Sequence, residues 1–398
     1  MNEKLELLAP AGNFEKMKTA FYFGADAVYL GGKNFSLRTF ADNFTEDELR
    51  DAVKYAHSLG KKVYVTANVF AKNHDFALLG DYLRYLYEIG ADAVLVSDPG
   101  VFALARKVAP DLCLHVSTQA NTTNAYSAAF WQEQGASRVV LARELSLAEI
   151  SQVHAHCPSL ELEAFVHGAM CISYSGRCLL SNYLDGRESN RGACVQACRW
   201  KYYLRAEGGS GGEYPVEEDA RGTYILNSKD LNMLPYLEKM YDAGVRSFKI
   251  EGRMKSVYYL ATVVNAYRRV MDGKMSVAAA SEELLKAAHR DYTAAYAFGE
   301  NAQTVNYADS QASGTREYVA DVLEGGDEPL VQMRNRFRAG DVLEVLSPNE
   351  NFNRTFTAEM RNENGDLVSD AKIVMQKLRL RVPFSLQKGD ILRMEKVR

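Results

Sequence analysis

Residues 24–30, with the sequence GADAVYL, contain the pattern on which the predicted fold rests: a glycine that ends a helix, followed at once by an apolar run. The same pattern returns at residues 90–98, GADAVLVSD. Glycine suits the position after a helix because it adopts positive φ without a steric penalty. The runs that follow are continuously apolar, which is typical of parallel strands covered on both faces. The pattern therefore predicts parallel strands that alternate with helices.

Glycine precedes five predicted strands in this way, and three further apolar runs bring the number of strands in the first 270 or so residues to eight. The predicted strands lie at residues 4–9, 25–30, 61–68, 91–98, 114–121, 136–144, 160–167 and 245–253. The predicted helices lie at about 13–23, 45–59, 75–89, 99–109, 123–134, 146–155, 230–243 and 256–272. This order predicts an α/β fold, a (β/α)8 TIM-like barrel with a long insertion, about 169–229, between strands seven and eight. A doubly wound open sheet is the alternative, and it is disfavoured because no GxGxxG follows an early strand.

The sequence changes character after Asp272. From about Arg316 onward, short β runs alternate with turns that contain glycine, such as Asn364-Gly365 and Gly389-Asp390. This part predicts a small C-terminal antiparallel β-barrel. The predicted domains are therefore residues 1–300, the barrel with its insertion, and residues 301–398.

Composition limits the class of protein. Hydrophobic residues make up 47% of the chain, charged residues 25%, and the net charge is −4, which is ordinary for a globular protein and excludes a strongly basic nucleic-acid binder. A local basic groove stays compatible with that charge. No apolar run approaches the roughly 18 residues of a membrane span, and no leader peptide is recognisable. The sequence therefore predicts a cytoplasmic protein without a membrane partner.

Four of the six cysteines lie close together in the predicted insertion, namely Cys171, Cys178, Cys194 and Cys198. The gaps between them are six, fifteen and three residues. Structural zinc prefers pairs separated by two to four residues, and only the last pair fits. Iron–sulfur clusters accept four thiolates at looser spacing. The pattern favours an iron–sulfur cluster, with zinc or buried unligated thiols as the alternatives.

Polar side chains follow the ends of the predicted strands, where barrel enzymes place their chemistry. They include Asn68, Ser97, Asp98, Ser117, Gln119, Asn121, Arg143, Glu144, His167, Lys249, Glu251 and Arg253. Any one of them could instead cap a helix. Lys249, Glu251 and Arg253 alternate along the last strand, so they are predicted to point together into the barrel mouth. Three unpaired charges are costly to bury, which predicts pairing with each other or with an anionic ligand.

Four stretches resemble the peptidase U32 family, long called collagenase-like proteases. They are ELLAPAGNFEKMKTAFYFGADAVYLG, FVHGAMCISYSGRCLLSNYLDGRESNRGACVQACRW, and TYILNSKDL with SFKIEGRMKSVYY. The resemblance covers about residues 4–300, and the C-terminal part resembles the small barrel of many members. The chain is most similar to the branch that hydroxylates the wobble uridine of tRNA to 5-hydroxyuridine. Related members act in ubiquinone and ribosomal RNA hydroxylation.

That resemblance implies a prephenate-dependent reaction, a [4Fe–4S] cluster, and Cys171, Cys178, Cys194 and Cys198 as its ligands. The predicted partners are tRNA and, as a further candidate, a paralogous U32 subunit. On this interpretation Lys249 and Arg253 bind an anionic group such as a prephenate carboxylate. The other candidate residues are Arg143, Gln119, Asn121 and Arg199 for substrate binding, and His167, Glu163 and Glu251 for proton transfer.

Basic and aromatic residues are weakly consistent with an RNA substrate. Arg187, Arg191, Arg199, Lys201 and Arg205 surround the cysteines. Two trios, Arg334, Arg336 and Arg338, then Lys377, Arg379 and Arg381, alternate and would form basic stripes if they lie on strands. Tyr174, Trp200, Tyr202 and Tyr203 could stack on a base or pack the insertion against the barrel.

A peptidase is the alternative from another class. It needs a nucleophile with a base and an oxyanion hole, or an open zinc site. The sequence contains neither HExxH nor GxSxG, although Cys171 with His167 could form a nucleophile–base pair. That pair would leave the three companion cysteines unexplained. A non-catalytic RNA-binding or assembly protein is the third alternative, disfavoured by the polar strand ends.

Overall fold

The computed structural model describes residues 5–37, 42–200, 228–299 and 312–396. The chain forms two compact units. The first contains residues 1–17, 26–254 and 290–312, and the second contains residues 18–25, 255–289 and 313–398. Residues 18–25 and 255–289 thus group with the C-terminal part of the chain.

The first unit is built on a closed parallel barrel. Its strands are β1 (Glu6–Pro10), β2 (Ala27–Gly31), β3 (Lys62–Ala67), β4 (Ala93–Val96), β5 (Leu114–Val116), β6 (Arg138–Val140) and β7 (Glu161–Ala169), then, after a short β8 (Asp230–Asn232), β9 (Val245–Ile250). Neighbouring barrel strands pair in parallel, and Phe248 of β9 is in register with both Leu7 of β1 and Ala164 of β7. The predicted eight-stranded TIM-like barrel is therefore confirmed.

The helices follow the predicted order. They are α1 (Phe14–Tyr22), α2 (Glu46–Ser58), α3 (Phe76–Glu88), α4 (Pro99–Val108), α5 (Ala125–Glu133), α6 (Leu147–His156), α7 (Leu180–Asp185), α8 (Leu237–Asp242), α9 (Val257–Met271) and α10 (Val277–Leu284). Thr45 with Glu48 and Ser146 with Glu149 form reciprocal capping boxes that fix where α2 and α6 begin. None of the described helices is long and apolar enough to cross a membrane.

The helix predicted at 230–243 is wrong in its first half. Residues 230–232 form β8, which pairs antiparallel with the end of β7 and parallel with β10 (Tyr292–Thr293). The buried Asp230 carboxylate accepts hydrogen bonds from Arg290 Nε at 3.1 Å and Nη2 at 2.6 Å. This long-range ion pair accompanies the extended conformation, and local helical patterning could not reveal it.

The second unit contains α9, α10 and an antiparallel sheet. The strands, in the spatial order of the sheet, are β15 (Thr355–Thr357), β14 (Val342–Leu346), β20 (Ile391–Glu395), β11 (Arg316–Glu324), β12 (Leu330–Met333), β19 (Lys377–Leu380), β16 (Met360–Arg361) and β17 (Leu367–Val368). β13 (Phe337–Arg338) pairs with β18 (Asp370–Ala371). One apolar core, with Val319, Phe337 and Leu392 among its buried members, fills this sheet, so the predicted small antiparallel β domain is confirmed.

The two predicted basic stripes have different outcomes. Arg334 and Arg336 lie in the turn between β12 and β13, not on a strand with Arg338, and each pairs with an aspartate. In contrast, Lys377, Arg379 and Arg381 are exposed at alternate positions along and just beyond β19. The first trio is therefore not a stripe on one strand, because the turn interrupts it, and only the second has the predicted geometry.

Candidate active site

An open cavity lies where the barrel strands end and the insertion begins. All four clustered cysteines line it. It is also lined by residues at or near the ends of the barrel strands, among them Tyr29, Thr66, Asn68, Ser117, Gln119, Arg143, Glu144, Phe165, Lys249, Glu251 and Arg253. The fold thus brings the cysteines of the insertion and the polar strand ends to one place.

Hydrogen bonds within the insertion hold the cysteine loop. The carbonyl oxygen of Cys178 accepts from Ser189 Oγ at 2.8 Å and from Asn190 Nδ2 at 3.1 Å. Cys194 Sγ accepts from Ser181 Oγ at 3.7 Å and from the backbone N–H of Gln196 at 3.4 Å. These contacts link the first cysteine pair to the segment that carries the second.

The four sulfur atoms are close enough to interact electrostatically. Burial raises the pKa of the Cys198 thiol, the charge of Arg199 opposes this, and the thiolates of Cys171, Cys194 and Cys178 raise the pKa further. Such mutual repulsion is relieved when thiolates bind cationic iron. In the described part of the chain, no three Cys, His, Asp or Glu side chains converge on one metal-ion position. Four thiol groups that line one cavity are the donor type that iron–sulfur clusters use.

Partly buried polar contacts join the insertion to the barrel loops. Arg191 Nη1 donates to Asp75 Oδ2 at 2.7 Å and to the carbonyl oxygen of Phe70 at 2.6 Å. On another side, Ser175 N–H donates to Glu144 Oε1 at 2.9 Å. Arg191 therefore anchors the insertion to the barrel loop that contains Phe70 and Asp75.

The Asp75–Arg191 pair gives a pH-dependent prediction. Hydrogen bonding by Arg191 holds the pKa of Asp75 at about 2, below its usual value near 3.9. Stabilisation by a carboxylate with a lowered pKa is complete above about pH 4 and is lost as the pH falls towards 2. We expect Asp75→Asn to lower the free energy of unfolding in urea at pH 7, with the difference from wild type shrinking below about pH 4. Asp81→Asn, in an exposed pair with Arg84, is the control and is expected to show almost no difference at any pH. A pH-independent Asp75→Asn effect would contradict the prediction.

The Lys249 ammonium group lies at the cavity floor and is almost fully buried. Its Nζ donates to Glu163 Oε1 at 2.7 Å and lies 4.4 Å from the centre of the Tyr29 ring. Burial lowers the pKa of Lys249, and the Glu163 carboxylate opposes that shift. Lys249 therefore pairs with Glu163 and also lines the cavity.

Arg253 and Arg143 also face the cavity, and both donate to the protein. Arg253 Nη1 donates to Ser36 Oγ at 3.1 Å and to the carbonyl oxygen of Leu37 at 3.0 Å, and Nη2 donates to Asn43. Arg143 Nη1 donates to the carbonyl oxygen of Ala169 at 2.6 Å. The predicted convergence of cations is observed, with protein groups as their present partners.

Glu251 is the acid that faces this cavity from the last strand. Its Oε2 accepts from the Tyr29 hydroxyl at 3.1 Å and lies 3.8 Å from Arg143 Nη2. Burial and the Glu251 charge raise the pKa of Tyr29 well above its usual value, so the phenol stays protonated. Glu251 therefore presents a hydrogen-bonded carboxyl group at the cavity wall.

Four predicted site residues are not among the described residues that line the cavity: Glu163, His167, Asn121 and Arg199. Glu163 lies inside the barrel beneath Lys249, because its position on β7 is deeper than the strand end. The His167 ring is buried and packs 5.3 Å from the Tyr292 ring. Direct proton transfer by Glu163 or His167 is thus not supported by their positions.

Asn121 and Arg199 lie beside the site. Asn121 ends a turn in the left-handed region, with φ of 57°. Arg199 Nη1 donates to Gln196 Oε1 at 2.6 Å, and its charge acts on Cys198. Lys201, Arg205, Tyr202 and Tyr203 lie outside the described residues, whereas Tyr174 and Trp200 are exposed.

Sequence patterns missed a buried charge network within the barrel. Arg138 Nη1 lies 2.6 Å from Glu6 Oε1 and 2.9 Å from Glu163 Oε2, and its Nη2 lies 2.7 Å from Glu161 Oε1. Burial raises the pKa of Glu6, but the charge and hydrogen bonds of Arg138 outweigh it and leave that pKa below its usual value. The sequence signal for this network is Arg138, a charged residue at the start of the strand sequence RVV. The network supports Glu163 and, through it, Lys249.

Comparison with known families agrees with this architecture. Peptidase family U32 matches residues 12–307, and the peptidase family U32 C-terminal domain matches residues 315–393. The chain belongs to peptidase family U32. The family predicted from the cysteine stretch is therefore confirmed, and the U32 match includes every cavity residue described above.

Several relatives of this U32 chain carry names that refer to RNA hydroxylation. tRNA hydroxylation protein P1 of Bacillus subtilis is 39% identical over 415 residues, which cover 99% of this chain and 95% of the relative. tRNA hydroxylation protein P of Escherichia coli is 38% identical, with 91% and 90% covered. A 23S rRNA 5-hydroxycytidine synthase of Escherichia coli is 37% identical over 271 residues, which cover 68% of this chain and 40% of that protein.

Proposed function

We propose that this U32 protein hydroxylates the wobble uridine of tRNA to 5-hydroxyuridine, using a [4Fe–4S] cluster and prephenate as the cosubstrate. The observation that carries the proposal is the single cavity in which four cysteines face the polar ends of the barrel strands. Near full-length similarity to two tRNA hydroxylation proteins supports tRNA as the substrate. The match to an rRNA-modifying relative makes ribosomal RNA the alternative within the same chemistry.

The residues that would hold the cluster are Cys171, Cys178, Cys194 and Cys198. When bound, an iron–sulfur cluster supplies electron transfer, which suits an oxidation of the substrate. Of the four cysteines, Cys171 is exposed and the other three are half-buried. The cluster would therefore sit at the side of the cavity that the insertion forms.

The strand ends would bind and orient the two substrates. Glu251, whose carboxyl group lines the cavity and accepts from Tyr29, would take up a proton that the bound substrate releases. Lys249, Arg253 and Arg143 would form charge-assisted hydrogen bonds with the carboxylates of prephenate. Glu163 positions Lys249 and does not itself reach the cavity.

Loss of the Arg253 charge is expected to weaken prephenate use. We expect Arg253→Gln to lower 5-hydroxyuridine formation about tenfold or more, because a hydrogen bond from a charged donor is worth about 1.5–3 kcal/mol and each 1.4 kcal/mol is about tenfold. The prephenate concentration for half-maximal rate should rise as well. The measurement is anaerobic reaction with tRNA at varied prephenate, followed by nucleoside mass spectrometry.

Ser36→Ala is the matched control, since it removes a protein acceptor of Arg253 but keeps the charge. It is expected to retain near wild-type prephenate dependence. If both variants lose activity equally, Arg253 acts by holding its neighbouring loop, and the anion-binding role is wrong.

The cavity does not favour a peptidase. Among the described residues that line it there is no histidine, so the nucleophile–base pair of Cys171 with His167 lacks support. Incubation of the purified protein with collagen-derived peptides is expected to give no cleavage. A cysteine-dependent cleavage that survives iron removal would favour the peptidase alternative.

The proposal includes a cytoplasmic location and leaves a paralogous subunit as a candidate partner. Two Bacillus subtilis proteins, P1 and P2, are both similar to this chain, at 39% and 36% identity. The P2 relative matches 68% of this chain. Co-purification of a tagged chain with a second U32 protein tests that partner.

A further inference from the structure

The sulfur of Cys194 accepts two hydrogen bonds from its own loop, which distinguishes it from the other cysteines of the cavity. The donors are the Ser181 hydroxyl, 3.7 Å away, and the Gln196 N–H, 3.4 Å away. Within residues that the structure describes, no hydrogen bond reaches the sulfur of Cys171, Cys178 or Cys198. Negative charge on the four sulfurs is thus stabilised unequally.

Ser181 is placed for this contact by α7. It is the buried residue of that short helix, with 1% of its surface exposed. Its Oγ accepts the N–H of Val195 at 3.3 Å, so its own proton is directed elsewhere, and Cys194 Sγ is the acceptor within reach. The Ser181 hydroxyl therefore accepts from the Val195 backbone and donates to the Cys194 sulfur.

The second donor is held at a backbone position that is unusual for a residue with a side chain. Gln196 has φ of 57°, in the left-handed region that favours glycine. Its side-chain oxygen accepts from Arg199 Nη1 at 2.6 Å, a contact that secures the turn. The loop maintains a strained residue where its N–H meets the Cys194 sulfur.

We propose that Ser181 is a positioning residue that sets the reduction potential of the iron–sulfur cluster through its hydrogen bond to Cys194. The inference rests on the proposed cofactor. Reduction adds negative charge to a cluster and its ligand sulfurs, and a hydrogen-bond donor stabilises that charge. The bond thus favours the reduced state and raises the potential.

The test compares two hydroxyl deletions in the same loop. Ser181→Ala removes the donor to sulfur, whereas Ser189→Ala removes a hydroxyl that donates to the Cys178 carbonyl oxygen instead. Anaerobic redox titration of the full chain, followed by electron paramagnetic resonance, measures the potential. We expect a more negative potential for Ser181→Ala, and the wild-type value for Ser189→Ala and for Ser181→Thr, which keeps a hydroxyl.

Equal potentials for wild type and Ser181→Ala, at equal iron content, would overturn the inference. Loss of iron from both Ser181→Ala and Ser181→Gly would overturn it too, because Ser181 would then act in folding the loop. If the wild-type chain itself carries no cluster, the proposed cofactor fails together with this inference. If the wild-type protein carries its cluster and hydroxylates tRNA, but Ser181→Ala has the wild-type reduction potential, only the role of Ser181 is disproved.

Discussion

Replacing Cys178 with alanine is expected to remove iron from the purified protein and to abolish 5-hydroxyuridine formation. The reason is that Cys178 lines the cavity with three other cysteines and would bind one iron of the cluster. Loss of an outer-shell partner alone costs about 10–100-fold in metal affinity or activity, so loss of a ligand should cost at least as much. The measurements are iron and sulfide content after anaerobic purification, and nucleoside mass spectrometry of reacted tRNA.

The chain offers matched controls for this cysteine substitution. Cys113 and Cys157 are also free thiols, but neither lines the cavity. Cys113→Ala and Cys157→Ala are expected to keep iron and activity near wild-type values. Full iron and activity in Cys178→Ala would contradict the assignment of this cysteine as a ligand.

The largest expected effect on stability comes from Arg138→Met. Arg138 is buried and pairs with Glu6 and Glu163, both largely or fully buried, and with the partly exposed Glu161. Removing the cation leaves these carboxylates together in the barrel, and breaking a buried pair costs about 3–5 kcal/mol. We expect a decrease of at least that order in the free energy of unfolding.

Urea unfolding followed by tryptophan fluorescence measures this effect. Both tryptophans, Trp131 and Trp200, belong to the first unit, so their emission reports on the barrel unit. Arg84→Met removes an exposed partner of Asp81 and is expected to cost less than about 1 kcal/mol. If the two arginine variants prove equally stable, the barrel network does not contribute as the geometry implies.

Much of the fold was predictable because its signals are local. Gly24 and Gly90, each at positive φ after a helix, mark where apolar strands begin. The eight barrel strands coincide with the eight apolar runs of the sequence. The error at residues 230–232 has a different origin. That segment is extended and its Asp230 pairs with Arg290, 60 residues away, and no local pattern encodes such a contact.

The residues with distinctive chemistry could be identified from the sequence, whereas the depth of a side chain within the barrel could not. The four cysteines and the residues Lys249, Glu251 and Arg253 do meet in one cavity. His167 was predicted at a strand end and Glu163 as a group for proton transfer. Glu163 instead lies deep in the barrel, and the His167 ring packs against Tyr292. Strand ends can be read from sequence, whereas the level and direction of each side chain depend on register and bulges, such as the irregularity beside Phe165 and His167.

The most direct test of the proposed function is nucleoside mass spectrometry of tRNA from cells that lack this gene. The predicted result is loss of 5-hydroxyuridine and its derivatives, restored by the wild-type gene and by Cys113→Ala but not by Cys171→Ala. An unchanged tRNA profile in the deletion strain, with no redundant U32 gene remaining, would contradict tRNA hydroxylation. Loss of a hydroxylated nucleoside from ribosomal RNA in the same cells would then assign the cavity to that substrate.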